Sequence, residues 1–151
     1  MNINMLIREA QVSDIDQMLA IEEYCYDNPW PREAFEEEVE NSEQGIGFIA
    51  EEDGYMVGFA TGLAVVNEYH LHNIAVHPDH QGQGVGRHLL EKIDEYCHEK
   101  DLHKILLEVR RDNENARRLY LSMGYESVGN RKDYYGPGRD AYLFTKILDQ
   151  E

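Results

Sequence analysis

The sequence predicts a mixed α/β domain: one sheet covered by helices on both faces. Four observations carry the prediction. Strand-type and helix-type hydrophobic spacings follow each other in the order β-αα-βββ-α-β-α-ββ. The chain has 151 residues, 42% hydrophobic and 29% charged, which suits a globular chain with one good core. No linker, repeat or low-complexity segment divides it, so residues 1–151 are expected to form a single domain. Finally, the stretch from Asn73 to Arg87 reads as a strand end, a polar turn with one proline, three alternating glycines and a helix start.

The elements follow in order. Ile3 to Arg8 reads as a first strand. Ser13 followed by Asp16 has the spacing of a capping box and opens a helix that runs to about Tyr26. Asp27-Asn28-Pro29-Trp30-Pro31 breaks it, because proline disfavours helix in the residue before it. A second helix spans about Pro31 to Asn41. Its glutamates at 33, 36, 37, 38 and 40 read as a solvated face, with Ala34, Phe35 and Val39 inward. Gly45 to Glu51 and Tyr55 to Val66 read as a hairpin turning at Asp53-Gly54, and Glu68 to Val76 as the next strand. Val85, Leu89, Leu90, Ile93, Tyr96 and Cys97 form the apolar stripe of a helix ending near Lys100. Lys104 to Val109 is a mostly apolar strand. Asp112 or Asn113 caps a short helix carrying Ala116, Leu119, Tyr120 and Met123, which Gly124 ends. Tyr125 to Tyr135 and Arg139 to Ile147 are two closing strands joined at Gly136-Pro137-Gly138.

Composition excludes several classes. The formal net charge is −16, with no basic cluster dense enough to neutralise nucleic-acid phosphates. A basic protein or a polyamine is the better electrostatic match. No apolar run approaches the roughly 20 residues of a membrane span, and no charged-then-apolar leader opens the chain. Cys25 and Cys97 lack metal-type spacing and fit free thiols in a reducing compartment, so a cytoplasmic location is expected. His70 and His72, at i, i+2 on one strand face, could ligate zinc, and His77 and His80 flank the turn, but no cysteine or carboxylate completes a familiar spacing, so no metal is expected.

A glycine-rich turn between a strand and a helix is an anion-binding device. The glycines let successive N–H groups converge, and the helix N-terminus adds partial positive charge. The nucleotide-binding Gly-x4-Gly-Lys-Ser/Thr pattern fails here, because Arg87-His88 stands where Lys-Ser/Thr is required. The dinucleotide fingerprint fails too, because Leu89 occupies its third glycine position and the turn falls mid-chain.

Gln81-Gly82-Gln83-Gly84-Val85-Gly86 resembles the Q/R-x-x-G-x-G/A signature of the GNAT acetyltransferases. Further motifs make the chain most similar, within that superfamily, to the RimI-type ribosomal-protein-alanine N-acetyltransferases. They are Asn73 to Pro78, Leu107-Glu108-Val109-Arg110, the Asn113 to Tyr120 helix, Gly124-Tyr125, and Arg131 to Tyr135. The resemblance implies a mixed, mostly antiparallel sheet and acetyl-CoA as the donor. It implies that N–H groups of Gly82, Gln83, Gly84, Val85, Gly86 and Arg87 hold the pyrophosphate, with Gln81 leading the turn. The pantetheine arm is expected along Ile74, Ala75 and Val76, with the Val76 N–H on the acetyl oxygen. Asn113 matches a position that contacts the cofactor arm, and is equally readable as a helix cap.

Acetyl transfer to an α-amine, whose pKa is about 8, needs a base, an acid for the departing thiolate and a dipole for the acetyl oxygen. Glu108, the one acid in the apolar strand Ile105 to Val109, is the candidate base, and burial is expected to raise its pKa. An ion pair with Arg110 or another cation is the structural alternative. Tyr120 matches the family's general acid and otherwise reads as a core tyrosine. The resemblance assigns the acceptor groove to Tyr26 to Phe35, including Trp30, and to Tyr134 and Tyr135. His72 is a candidate relay for the amine proton. The expected partner is a protein or peptide N-terminus, as on a basic ribosomal protein, and the enzyme a monomer or weak dimer. A free small amine as acceptor, or a non-catalytic acyl-CoA-binding module, are the rival readings.

Overall fold

A computed structural model describes residues 5–40 and 43–148. Seven strands form one sheet in the order β1-β2-β3-β4-β5-β7-β6. They are β1 (Met5–Glu9), β2 (Gly45–Glu52), β3 (Tyr55–Val65), β4 (Glu68–Val76), β5 (Lys104–Arg110), β6 (Glu126–Arg131) and β7 (Ala141–Ile147). The helices are α1 (Ile15–Cys25), α2 (Arg32–Val39), α3 (Val85–Glu99) and α4 (Glu114–Ser122). Only β4 and β5 pair in parallel, since α3 forms the crossover between them. The predicted element order stands.

Each face has its own core. On one, Leu89, Leu90 and Ile93 of α3 and Tyr120 of α4 pack on Tyr69, Ile105, Leu107 and Phe144. On the other, Ile15, Met18 and Ile21 of α1 and Phe35 of α2 pack on Ile49, Phe59 and Ala75.

Several boundaries move. Ile3 and Asn4 of the predicted first strand lie outside the described residues, as does Asn41 at the expected end of the second helix. The first helix starts with a turn at Val12–Asp14, and Asp14, not Ser13, provides the capping group: its carboxylate accepts the Gln11 N–H at 2.8 Å. The sixth strand ends at Arg131, so Tyr134 and Tyr135 lie in the β6–β7 turn rather than in a strand. There the Asp140 and Asp133 carboxylates take the backbone N–H groups of Asp133 and Gly138. The second helix also departs from its expected solvated glutamate face, because Glu38 is only 6% exposed.

One irregularity positions the site. Between Thr61 and Gly62 β3 advances one residue, while β4 moves two, from Asn73 to Leu71. His72 is therefore the extra residue of a β-bulge. At the same level the β4–β5 pairing ends, its last pair being Leu71 with Leu107. Beyond it β5 stays paired with β7 through Glu108 to Arg110, and β4 runs on with one edge free.

Candidate active site

The glycines of the central turn have different duties. Gly82 (φ 79°) and Gly84 (φ 87°) adopt left-handed backbone that side chains rarely tolerate, and Gly84 caps α3. A Cβ on Gly82 would meet nothing within 4 Å, and one on Gly84 would meet only the His88 ring at 3.7 Å. The concavity beside them is open space that glycine leaves clear for a ligand. Gly86 serves packing, because a Cβ there would lie 3.0 Å from Leu119 Cδ2 on α4. The first turn of α3 carries no acid, and Arg87 extends to Ser122 Oγ at 2.9 Å. Gln83 is exposed, whereas the Val85 side chain is buried in the core, leaving only its backbone for a ligand. The concavity and its electrostatics fit a pyrophosphate.

The free edge of β4 adjoins this turn. Ala75 pairs with Phe59 of β3 and is buried, so the groups facing away from β3 belong to Ile74 and Val76. Their carbonyls accept side-chain donors. The Tyr26 hydroxyl donates to Ile74 O at 2.5 Å, and Val76 O receives the Cys25 thiol at 3.2 Å and Gln81 Nε2 at 3.1 Å. Gln81 thus ties the turn to the strand, a role its place in the signature did not reveal. Asn113 caps α4, its Oδ1 accepting from Ala116 N at 3.3 Å.

Glu108 stands where β4 and β5 part. The alternation along β5 holds: Ile105, Leu107 and Val109 are buried, and Glu108 is on the other face with Leu106 and Arg110. The expected burial of Glu108 does not occur. The residue is exposed, because the strand separation opens this face to solvent, and its ion-pair neighbour is Arg131 at 3.9 Å rather than Arg110. Its charge reaches two site residues, His72 of the bulge and Tyr135 of the β6–β7 turn.

Tyr120 is 4% exposed, its ring against Tyr125 and Phe144. Burial pushes its hydroxyl well above the ordinary tyrosine range, with Tyr135 adding to the shift. Tyr26 is shifted the same way, by burial first and then by Tyr120. The hydroxyls of Tyr26, Tyr120 and Tyr135 are thus electrostatic neighbours, and Tyr26 links them to the β4 edge. A phenol kept protonated is a proton donor.

The α1–α2 loop is held by a buried carboxylate. Glu22, 1% exposed, accepts from Trp30 N at 2.9 Å and from Asn73 Nδ2 at 2.8 Å. Burial raises its pKa, and these two bonds oppose the shift. Trp30 is half-buried with its ring 5.3 Å from Phe35. Tyr134 and Tyr135 are 49% and 40% exposed, and the Arg131 guanidinium lies 5.2 Å from the Tyr134 ring. Sequence reasoning missed Glu22 and Glu38, which sit among solvated acids of the same helices. A glutamate three residues after an inward residue (Leu19 before Glu22, Phe35 before Glu38) was the available signal.

A strand ending in a glycine cradle, followed by a helix and bordered by a free strand edge, fits an acyl-CoA-dependent transferase site. Residues 15–125 match the acetyltransferase (GNAT) family, and the chain belongs to it. It is an N-acetyltransferase with acetyl-CoA as cosubstrate. The chain is 33% identical over 129 residues to the [ribosomal protein bS18]-alanine N-acetyltransferase of Escherichia coli (strain K12), covering 85% of this chain and 86% of that one. It is 38% identical over 126 residues to the N-alpha-acetyltransferase RimI of Mycobacterium tuberculosis, covering 80% and 77%. The crystal structure of the ribosomal-protein-S18-alanine N-acetyltransferase from Escherichia coli superposes with a TM-score of 0.91 at 30% identity, covering 97% of this chain and 96% of that one. Among the described residues, no helix is long and apolar enough to cross a membrane, and no three His, Cys, Asp or Glu side chains gather as a metal site.

Proposed function

We propose that this enzyme acetylates the α-amine of a protein N-terminus, the N-terminal alanine of a small-subunit ribosomal protein. The observation that carries the reading is the strand separation. It leaves Glu108 exposed beside the free β4 edge, with Tyr135 of the β6–β7 turn within reach of its charge. Exposed tyrosines beside an acid suit a short extended peptide, whose backbone the hydroxyls can hold, and the family resemblance assigns Trp30 to the same groove. The relatives' names support the same acceptor.

In this mechanism Gly82 to Arg87 hold the pyrophosphate and Ile74 to Val76 align the pantetheine arm, with the Val76 N–H on the acetyl oxygen. Glu108 attracts the acceptor's ammonium and takes its proton. The free amine attacks the acetyl carbon directly, and Tyr120 gives its proton to the sulfur as the C–S bond breaks. Cys25 is not a nucleophile here: burial, with Glu22 adding, raises its thiol pKa. The two free thiols fit a cytoplasmic enzyme.

The test incubates the protein with acetyl-CoA and a panel of peptides and amines, following thiol release and acceptor mass. A peptide beginning Ala-Arg is expected to gain one acetyl group at its α-amine. Acetylation of polyamines alone would replace this reading with that of a small-amine enzyme, and tight acetyl-CoA binding without turnover would make it a binding module.

A further inference from the structure

Glu38 is a carboxylate of α2 buried against the sheet. One of its oxygens, Oε1, has no hydrogen-bond partner among the described residues. Its other oxygen meets Nδ1 of His72 in a short contact. A buried carboxylate is costly without a hydrogen-bonded partner of opposite charge, so this contact fixes the imidazole. With Nδ1 committed to Glu38, the other ring nitrogen, Nε2, is left for the site. The bulge sets His72 at the level where β4 and β5 part, and Glu108 follows the last paired residue of β5 there. Glu38 from α2 contacts His72, the charge of Glu108 from β5 acts on it, and the His70 ring lies 6.4 Å away on its own strand.

We propose that His72, oriented by Glu38, is the proton-relay residue behind Glu108: it receives through Glu108 the proton that the acceptor ammonium loses before attack. This rests on the α-amine acetylation proposed above. The balance is complete. An ammonium loses two protons on becoming an amide. One leaves with the thiol through Tyr120, and the other passes by Glu108 to His72 Nε2 and on to solvent, which the partly exposed imidazole reaches. The nitrogen lone pair forms the C–N bond, and the C–S pair stays on sulfur until protonated.

Physical chemistry favours the added station. An ordinary carboxylate is about four pKa units more acidic than an α-ammonium, and an imidazole only about one to two. Glu38 first, and Glu108 with it, raise the His72 pKa against an opposing desolvation, narrowing that gap. The unprotonated form is the working one, so turnover should rise with pH through the His72 titration.

The experiment is the pH profile of kcat with the Ala-Arg peptide, since kcat reports groups of the bound complex. His72→Phe is expected to lower kcat at neutral pH about tenfold or more and to abolish the ascending limb. Glu38→Gln, which removes the contact that raises the His72 pKa, is expected to move that limb to lower pH. His72→Gln gives a second removal of the titrating group, and melting temperature and acetyl-CoA binding verify that each variant is folded. A limb unchanged in folded His72→Phe and His72→Gln would overturn the assignment and leave His72–Glu38 as a clamp between α2 and β4. If the wild-type enzyme acetylates only small amines, the acceptor reading fails, and the same profiles on the accepted amine still decide the role of His72.

Discussion

The two faces of the sheet are built differently. Beneath α3 and α4 the core is a large apolar cluster, and no charged residue there is fully buried among the described residues. Beneath α1 and α2 the buried set includes Asp14, Glu22, Glu38, Thr61 and Asn73. Charge divides in the same sense. Residues 1–79 hold two arginines against seventeen acids, net −15, whereas residues 80–151 hold twelve cations against thirteen acids, net −1. The cradle at the start of α3 presents backbone, so it needs permissive conformations on a firm apolar base. The proposed acceptor side relies on side chains, and in a low-dielectric layer each must be fixed by a hydrogen bond. The proposed donor half is therefore specified by glycines and the proposed acceptor half by pairings.

Substitutions can break this contrast. The largest effect is expected at the opening between the halves: Glu108→Gln should lower kcat about 100-fold or more, in the range of a lost general base, by thiol release at saturating acetyl-CoA. Tyr120→Phe should follow at about 10- to 100-fold, with acetyl-CoA affinity unchanged by calorimetry. Near-normal rates in either variant would remove that residue from its role.

The next pair sharpens the division between halves. Glu22→Gln leaves one of two N–H donors, from Trp30 or Asn73, without its acceptor, and should destabilise the fold by about 1–3 kcal/mol. In the surviving fold the acceptor KM should rise more than the acetyl-CoA KM. Gly84→Val should do the converse, because left-handed backbone strains a side-chain residue by about 1–2 kcal/mol, weakening acetyl-CoA binding while sparing the acceptor KM. Equal effects of both variants on both substrates would dissolve the distinction. The smallest effect is expected for Asn113→Ala, about 1 kcal/mol of stability from the lost cap of α4. An unchanged acetyl-CoA affinity would leave Asn113 as a cap alone, and a weaker one would assign it the cofactor contact.

Much of the architecture was legible because it is local. The stripe Val85, Leu89, Leu90, Ile93, Tyr96 and Cys97 is buried except for the half-buried Tyr96, and the buried side of β5 follows simple alternation. The failures share a cause. Glu38 and Glu22 look like members of solvated acidic runs, and only His72 and Asn73, 34 and 51 residues further on, turn them into buried groups. Glu108 looks buried because its neighbours are apolar, yet the parting of β4 from β5 exposes it. Tyr134 and Tyr135 look like a strand end until Asp133 and Asp140 fold the chain into a turn.

The sequence by itself determined the glycine cradle: a strand end, a turn of glycines with left-handed backbone at Gly82 and Gly84, and a helix start, all set within the fifteen residues Asn73 to Arg87. Backbone conformation and hydrophobic period are properties of neighbours along the chain, so a linear reading recovers them. Tertiary structure alone decided which charges face water and which face each other. It made His72 a bulge residue, since a one-residue register shift exists only between two strands, and it brought Glu38 and Glu108 to that imidazole from opposite ends of the chain. The field at a titrating group depends on distance through space, which sequence separation does not encode.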